Sequence, residues 1–357
     1  MTDFIQPDSA FWRGKRVLLT GHTGFKGSWM SLWLQNLGAD VCGLSLCPPT
    51  EPSLFEVSKV AQGMTHATGD IRDYATVLMQ MQSFKPEIVF HMAAQPLVRL
   101  SYQQPVETYS TNVMGTVHVL EAARYSGSVK ALVNITTDKC YENREWVKGY
   151  REDAPMGGHD PYSSSKACAE LVSAAYRKSF LKEANIAIAT ARAGNVIGGG
   201  DWAFERLVPD ILRSLENKDS VLIRNPQAIR PWQHVLEPLS GYLLLAERLF
   251  THGQVDAEGW NFGPNDEDAR PVQWIVERLC ASWRDSAGWR IQEGPHPHEA
   301  NLLKLDITKA QQRLNWTPRW SIDTALKHTS DWHQAWLEGQ DMRTVCLQQI
   351  CQYGANR

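Results

Sequence analysis

The chain has 357 residues, of which 43 % are hydrophobic and 21 % charged, with a formal net charge of −3. That length predicts about two domains, and that composition describes a folded globular protein, not a disordered one. The charge balance gives no electrostatic reason to expect nucleic acid or an anionic membrane as partner, and no apolar run approaches the roughly 18 residues of a membrane span.

In chain order, short apolar runs alternate with helical patterns. RVLLTG (16–21) reads as a strand, GSWMSLWLQNLG (27–38) as a helix and DVCGLSL (40–46) as a strand. YATVLMQMQSF (74–84) follows as a helix, EIVFHMAA (87–94) as a strand and 106–127 as a long helix. KALVNITT (130–137), a helix over 162–180 and IAIATARAG (186–194) complete the alternation. This predicts an α/β fold: a Rossmann-type doubly wound parallel sheet with ligands at the strand ends. Beyond about residue 192 the sequence turns rich in Gly, Pro and Trp, predicting a smaller C-terminal mixed α/β substrate domain. The expected boundaries are 1–191 plus a return segment 232–263 for the dinucleotide domain, with 192–231 and 264–357 for the second. The seven cysteines are scattered and odd in number, with no CxxC spacing, so no metal site and no disulfide framework are expected. The opening residues lack a secretory leader pattern, and reduced thiols suit a cytoplasmic protein.

Gly21, Gly24 and Gly27 form G-x-x-G-x-x-G between the first strand and the first helix. Such glycines permit a tight turn, close backbone approach to a pyrophosphate and close helix–strand packing, while the helix N-terminus attracts phosphate. His22, Phe25 and Lys26 fill the variable positions. Lys26 opposes the helix dipole, which a nearby phosphate would offset; a solvated lysine is the plainer alternative. His22 is expected to crowd the cofactor. The carboxylate that usually binds the adenosine ribose is replaced by Ser45, a weaker partner, so the loop predicts modest dinucleotide affinity.

Tyr162 and Lys166 lie four apart on one helix face. A neighbouring ammonium and a cationic nicotinamide favour the phenolate, making Tyr162 a candidate base for a sugar hydroxyl. Thr137, Asp138 and Lys139 lie at the end of the fourth predicted strand. An ion pair at a strand end is the plain alternative for the last two.

With TGHTGFKG, GDIRD, FHMAAQPLV, TTDKCY, PYSSSK, RAGNVIGGGDW, AIRPWQHV and HPHEANLLKLD in order, the chain resembles the nucleotide-sugar 4,6-dehydratases of the extended short-chain dehydrogenase/reductase family over nearly its whole length. The resemblance implies NAD as cofactor, regenerated each turnover. Within the family, the loop, TTDKCY and IRPWQHV are most similar to the branch that takes CDP-glucose and serves lipopolysaccharide O-antigen synthesis. It further implies Tyr162 as base at the C4 hydroxyl, supported by Thr137 and Lys166, and Asp138 as acid for the C6 hydroxyl. Relatives place a glutamate at position 139 as the C5 base. Lys139 would act there either as a neutral amine or as a cation stabilising the enolate. Asp70 and Ile71 match adenine contacts, and Ala93, Ala94, Gln95 and Asn112 cofactor-side positions. Asn195 and Arg230 match the residues that hold the diphosphate, with Arg192, Arg206, Val208, Arg213, His298 and Glu299 as further substrate candidates. His234 reads as a packed or capping residue, and His91 equally as a cofactor neighbour or a satisfied strand-end histidine. The helices 107–125 and 162–180 match those that pair subunits, implying a homodimer or homotetramer. A 4-epimerase would keep Tyr162 and Lys166 without needing an acid at Asp138; a non-catalytic NAD-binding subunit would need neither.

Overall fold

β-Branched runs that are apolar on both sides form the inside of a covered sheet. The computed structural model describes residues 6–283, 287–292 and 302–355. Strands β1 (Arg16–Thr20), β2 (Asp40–Ser45), β3 (Thr65–Thr68), β4 (Ile88–His91), β5 (Ala131–Ile135) and β6 (Ala187–Ala193) join Gly259–Phe262 in one sheet. The order is Gly259–Phe262, β6, β5, β4, β1, β2, β3, and every pairing is parallel. β4, β5 and β6 are buried throughout, which is why they read as unbroken apolar runs. The two strands that sequence patterning missed are β3, whose THAT is mostly exposed at the sheet edge, and Gly259–Phe262, only four residues long. Neither carries enough apolar signal by itself.

Because β1 pairs with both β2 and β4, the strand order reverses beside it, and a crevice opens beyond Thr20 and His91. The helix Phe25–Asn36 is apolar all round because it is covered on both sides: Trp29, Leu32 and Leu34 join the core, while Trp33 meets Tyr353 at 5.6 Å. The helices Tyr74–Phe84 and Gly115–Ser126 cover the opposite face with Val77, Met81, Val119 and Leu120. The expected long helix over 106–127 is broken by a π turn at Ser110–Met114, which carries the buried Asn112. Its side chain brackets the Gln95 backbone, accepting from Gln95 N at 2.8 Å and donating to Gln95 O, and donates to Ser165 Oγ at 2.9 Å. Such π turns are frequent at functional sites.

The second lobe has its own core, with Val208, Ile211, Leu212, Ile275, Leu279 and Leu326 among its residues. Its boundary differs from the expected 264–357. Leu303, Leu305 and Ile307 belong to the sheet-side core, and the helix Met342–Ala355 returns Cys346, Ile350 and Tyr353 to it. The amphipathic sequence did not reveal which core these residues would join.

One buried ion pair ties these parts together. Glu170, on the helix Pro161–Tyr176, receives Arg192 Nε at 2.9 Å and Nη2 at 2.8 Å, together with the hydroxyls of Thr136 and Thr190. Burial pushes the Glu170 carboxyl up, but the Arg192 charge and the four hydrogen bonds outweigh it and hold the group below its usual range. Glu170→Ala would leave a buried guanidinium without its partner, and is expected to cost about 3–5 kcal/mol in urea unfolding; a loss near zero would show the pair to be dispensable.

Candidate active site

At Gly21 and Gly27 the glycine loop approaches its neighbours too closely for any side chain. Gly21 has φ +79°, and a Cβ there would lie 2.6 Å from Ala93 N; one on Gly27 would lie 2.1 Å from Gly21 O. Gly24 caps the helix Phe25–Asn36 with no side-chain hydrogen bond and no acidic residue in the first turn. The N–H groups of that turn therefore remain available to an anion, so the cradle fits a dinucleotide pyrophosphate. A cleft of about 1780 Å³ begins here and extends to the second lobe, lined by Gly21, Gly24, Phe25, Lys26 and Gly27, by Ala93, Ala94 and Gln95, and by Asp70 and Ile71.

Ser45, at the end of β2, also lines the cleft, its Oγ 2.8 Å from Thr23 Oγ1. Thr23 was missed in the sequence because hydroxyl pairing across two strand ends leaves no local pattern. Asp70 accepts from Arg72 through both oxygens, which holds its carboxyl below the usual range, and Arg72 also reaches Glu107. The Ile71 side chain packs over Gly115, where a Cβ would fall 2.4 Å from its Cδ1.

His22 departs from expectation. Its ring is fully buried and turned away from the cleft, packed on Phe55 and hydrogen-bonded to His66 Nδ1 at 2.7 Å. Gly43 makes the room: a Cβ there would lie 2.4 Å from His22 Cγ. The imidazole therefore fills the space between loop and sheet, and does not crowd a cofactor. Burial and the neighbouring His66 lower its pKa to about 4, so it is neutral. His91 is likewise satisfied, between Thr20 Oγ1 and Thr116 Oγ1, and His234 caps Leu236 N among Trp29 and Trp320.

Lys26 is half-buried in the wall of the cleft. Its Nζ lies 3.3 Å from the hydroxyl of buried Tyr242, on the helix Leu236–His252.

The catalytic candidates converge at the ends of β5 and of the helix Pro161–Tyr176. Asp160 caps this helix on Ser163 N at 2.9 Å and Pro161 occupies its first turn, which places Tyr162 at the cleft and Lys166 one turn deeper. Lys166 Nζ donates to Ile135 O at 3.0 Å; burial lowers its pKa to about 8, with Glu170 opposing. The Tyr162 hydroxyl hydrogen-bonds the Thr137 side chain. In the protein without a cofactor, burial pushes its pKa up to about 12, ahead of the Thr137 bond and the Arg206 charge, which lower it. Within the protein's own groups desolvation wins, so a further cation must enter the cleft before Tyr162 ionises.

Asp138 is 2 % exposed. One oxygen accepts from Thr137 Oγ1 at 3.0 Å, while Oδ2 is buried without a partner among the described groups. Burial raises its pKa against the opposing charges of Lys139 and Arg230, the direction that a general acid requires. Lys139 lines the cleft beside it.

On the second lobe Asn195, Arg206, Val208, Arg213 and Arg230 all line the cleft. Arg206 pairs with Asp201 at 2.9 Å and faces Tyr162. Arg192 does not belong to this set: it is spent on Glu170, Tyr141 and the Glu152 carbonyl behind β6. Its position next to the strand end suggested a ligand contact, but the alternation of strand side chains turns it away from the cleft. His298 and Glu299 lie outside the described residues. Among the described residues no cluster of metal-ligating side chains occurs, and the cysteines there are free thiols.

Against known proteins, the sequence profile of the family described as GDP-mannose 4,6 dehydratase matches residues 18–329. The chain belongs to that family. It is 59 % identical to the CDP-glucose 4,6-dehydratase of Salmonella typhimurium over 97 % of this chain and 98 % of the relative. Among solved structures, a UDP-glucose 4-epimerase from Stenotrophomonas maltophila with bound NAD is similar in fold, with TM-score 0.81, 21 % identity, and 91 % of this chain and 99 % of that one covered. The NAD complex of a dTDP-glucose 4,6-dehydratase from Bacillus anthracis gives 0.74 at 20 % identity, covering 92 % and 100 %. A protonated Asp138 at the cleft wall would be able to donate to a departing hydroxyl. Activity is accordingly expected to fall as pH rises through the raised pKa of Asp138. Asp138→Asn should remove that alkaline limb and lower kcat about 10²–10⁴-fold with little change in KM, as read from a pH–rate profile; an unchanged profile would exclude the acid.

Proposed function

We propose that the protein converts CDP-D-glucose to CDP-4-dehydro-6-deoxy-D-glucose and water, as an NAD-dependent hydro-lyase. The observation that carries this reading is the buried Asp138, its carboxyl pKa raised by burial and its Oδ2 without a partner among the described groups, at the cleft wall with Tyr162. An epimerase has no use for such an acid. The cytidine nucleotide rests on the 59 % identity to the Salmonella typhimurium enzyme.

In this reading bound NAD supplies a reversible hydride acceptor, filled from C4 and emptied onto C6. Arg230, Arg206 and Asn195 hold the diphosphate from the second lobe, guanidinium groups matching its oxygens in pairs. Tyr162, hydrogen-bonded to Thr137, removes the C4 hydroxyl proton; the positive charge of the bound cofactor ring and Lys166 offset the burial that holds it at about 12. The resulting ketone acidifies C5–H. Lys139 faces the intermediate where it receives the C5 proton or stabilises the enolate, and Asp138 delivers its proton to the leaving C6 hydroxyl. A proton then returns to C5 as C6 is reduced, so the reaction is redox-neutral overall.

Incubation with CDP-, dTDP-, UDP- and GDP-hexoses and NAD tests this: a 4-keto-6-deoxy product from CDP-glucose is expected. No ketone from any sugar would overturn the dehydratase reading, inversion at C4 without water loss would favour the epimerase, and a ketone from dTDP-glucose alone would defeat only the nucleotide assignment.

A cytoplasmic enzyme feeding O-antigen sugar synthesis follows from the same reading. The chain is expected to work as a homodimer. Val106, Tyr109, Met114, Leu171 and Phe180 are exposed on the two helical segments 105–126 and 161–181, giving an apolar face of the kind that pairs subunits. Leu171→Glu is expected to shift the sedimenting species towards monomer, and an unchanged sedimentation coefficient would place the interface elsewhere.

A further inference from the structure

The glycine triplet Gly198–Gly199–Gly200 opens the segment that carries Arg206, and no step above uses it. It follows the two-residue strand Val196–Ile197, and the segment from Gly200 to Arg206 lines the cleft. The triplet is packed against the cofactor half of the protein. Trp29 Nε1, from the helix Phe25–Asn36, donates to Gly199 O at 3.0 Å, and both residues are buried. A Cβ on Gly198 would lie 3.2 Å from Phe25 Cζ of the same helix, and one on Gly199 only 2.0 Å from Trp332 Cγ. Gly200 then turns the chain with φ +81°. Next comes Asp201, whose side chain is 7 % exposed: Oδ1 accepts from Ala203 N at 3.1 Å and Oδ2 pairs with Arg206 Nη1 at 2.9 Å. A second link to the cofactor half, Glu205 with Arg99 at 3.2 Å, leaves Glu205 43 % exposed, and ion pairs so open to water contribute little. The buried bond from Trp29 is therefore the firm attachment of this segment.

We infer that Trp29 is a positioning residue for the diphosphate grip of the second lobe: its hydrogen bond to Gly199 sets the turn from which Asp201 holds Arg206 at the ligand. This deepens the nucleotide-sugar reading and rests on it. Trp29 itself is fully buried in the core and does not line the cleft, so it acts only through the segment that it fixes. The physical basis is preorganisation. A long guanidinium side chain that must be ordered when the ligand arrives subtracts its lost freedom from the affinity, whereas one already held by a fixed carboxylate does not. Asp201 can hold Arg206 in one place only if the Asp201 backbone is itself fixed, and the buried Trp29–Gly199 bond fixes it two residues upstream. Phenylalanine at position 29 would keep a ring in the core but leave Gly199 O without its donor, so the turn and the Asp201–Arg206 pair would shift together.

Calorimetric binding of CDP to the full-length protein reads the grip without turnover. Trp29→Phe is expected to weaken CDP binding about three- to tenfold, the worth of one buried hydrogen bond, while NADH affinity changes much less. Arg206→Met should weaken CDP binding by more, and adding Trp29→Phe to it should weaken binding no further, because the indole acts through that arginine. Asp201→Asn, which keeps the shape of the side chain and removes the charge that holds Arg206, should behave alike: a loss in the wild-type background and none beside Arg206→Met. This variant perturbs the same link without touching the core, so the outcome does not hang on Trp29→Phe folding. A Trp29→Phe protein that melts at a lower temperature yet binds CDP as the wild type does would overturn the inference. Unchanged CDP affinity in Asp201→Asn, equal weakening of CDP and NADH in Trp29→Phe, or losses that add in the double variants would overturn it too. If the folded wild type bound no CDP, or Arg206→Met bound it undiminished, the diphosphate reading itself would fall, and this inference with it.

Discussion

The geometry of the cleft depends on the buried pair of Glu170 and Arg192. Glu170 lies one turn after Lys166 on the helix that presents Tyr162, and it grips Thr136, the residue before Thr137 and Asp138. Its other bonds reach Thr190 and Arg192 on β6, and Arg192 continues to Tyr141, whose hydroxyl reaches Asn261 on the neighbouring strand. The helix of Tyr162, the strand end before Asp138 and the next two strands are thus fixed to one carboxylate. Removing either ion would leave the other desolvated and unpaired, so the pair enforces position far more than it adds net stability.

Around that anchor, desolvation sets the protonation states. It raises the pKa of Tyr162 and of Asp138 and lowers that of Lys26 and Lys166, so each shift favours the uncharged form. A ligand that brings a diphosphate and a cationic ring perturbs all four groups at once. Acid–base chemistry at neutral pH needs groups that are poised in this way and respond to what enters.

Much of this was legible in the chain. The strand–helix alternation, the three glycines and the Tyr162–Lys166 spacing are local patterns, and local patterns survive translation into structure because backbone sterics and helical periodicity act over a few residues. Asn112 and Gln95 were also placed near the cofactor side, and the π turn explains how one helix could contain an inward-facing amide. Arg192 and His22 were misread for a common reason. A charged or bulky side chain beside a ligand loop can face either way, and its direction depends on residues distant in sequence: Glu170 for one, Gly43 and His66 for the other.

The sequence by itself determined the fold class, through the alternation of strand and helix patterns, and the glycine loop that fits a pyrophosphate, through spacings shorter than two turns of helix. Only the tertiary structure decided which cations face the cleft and which are consumed in the core, and that the lysine of the opening loop meets Tyr242. Those outcomes turn on desolvation and on partners more than a hundred residues apart, as Lys26 and Tyr242 are, and no local pattern carries that information.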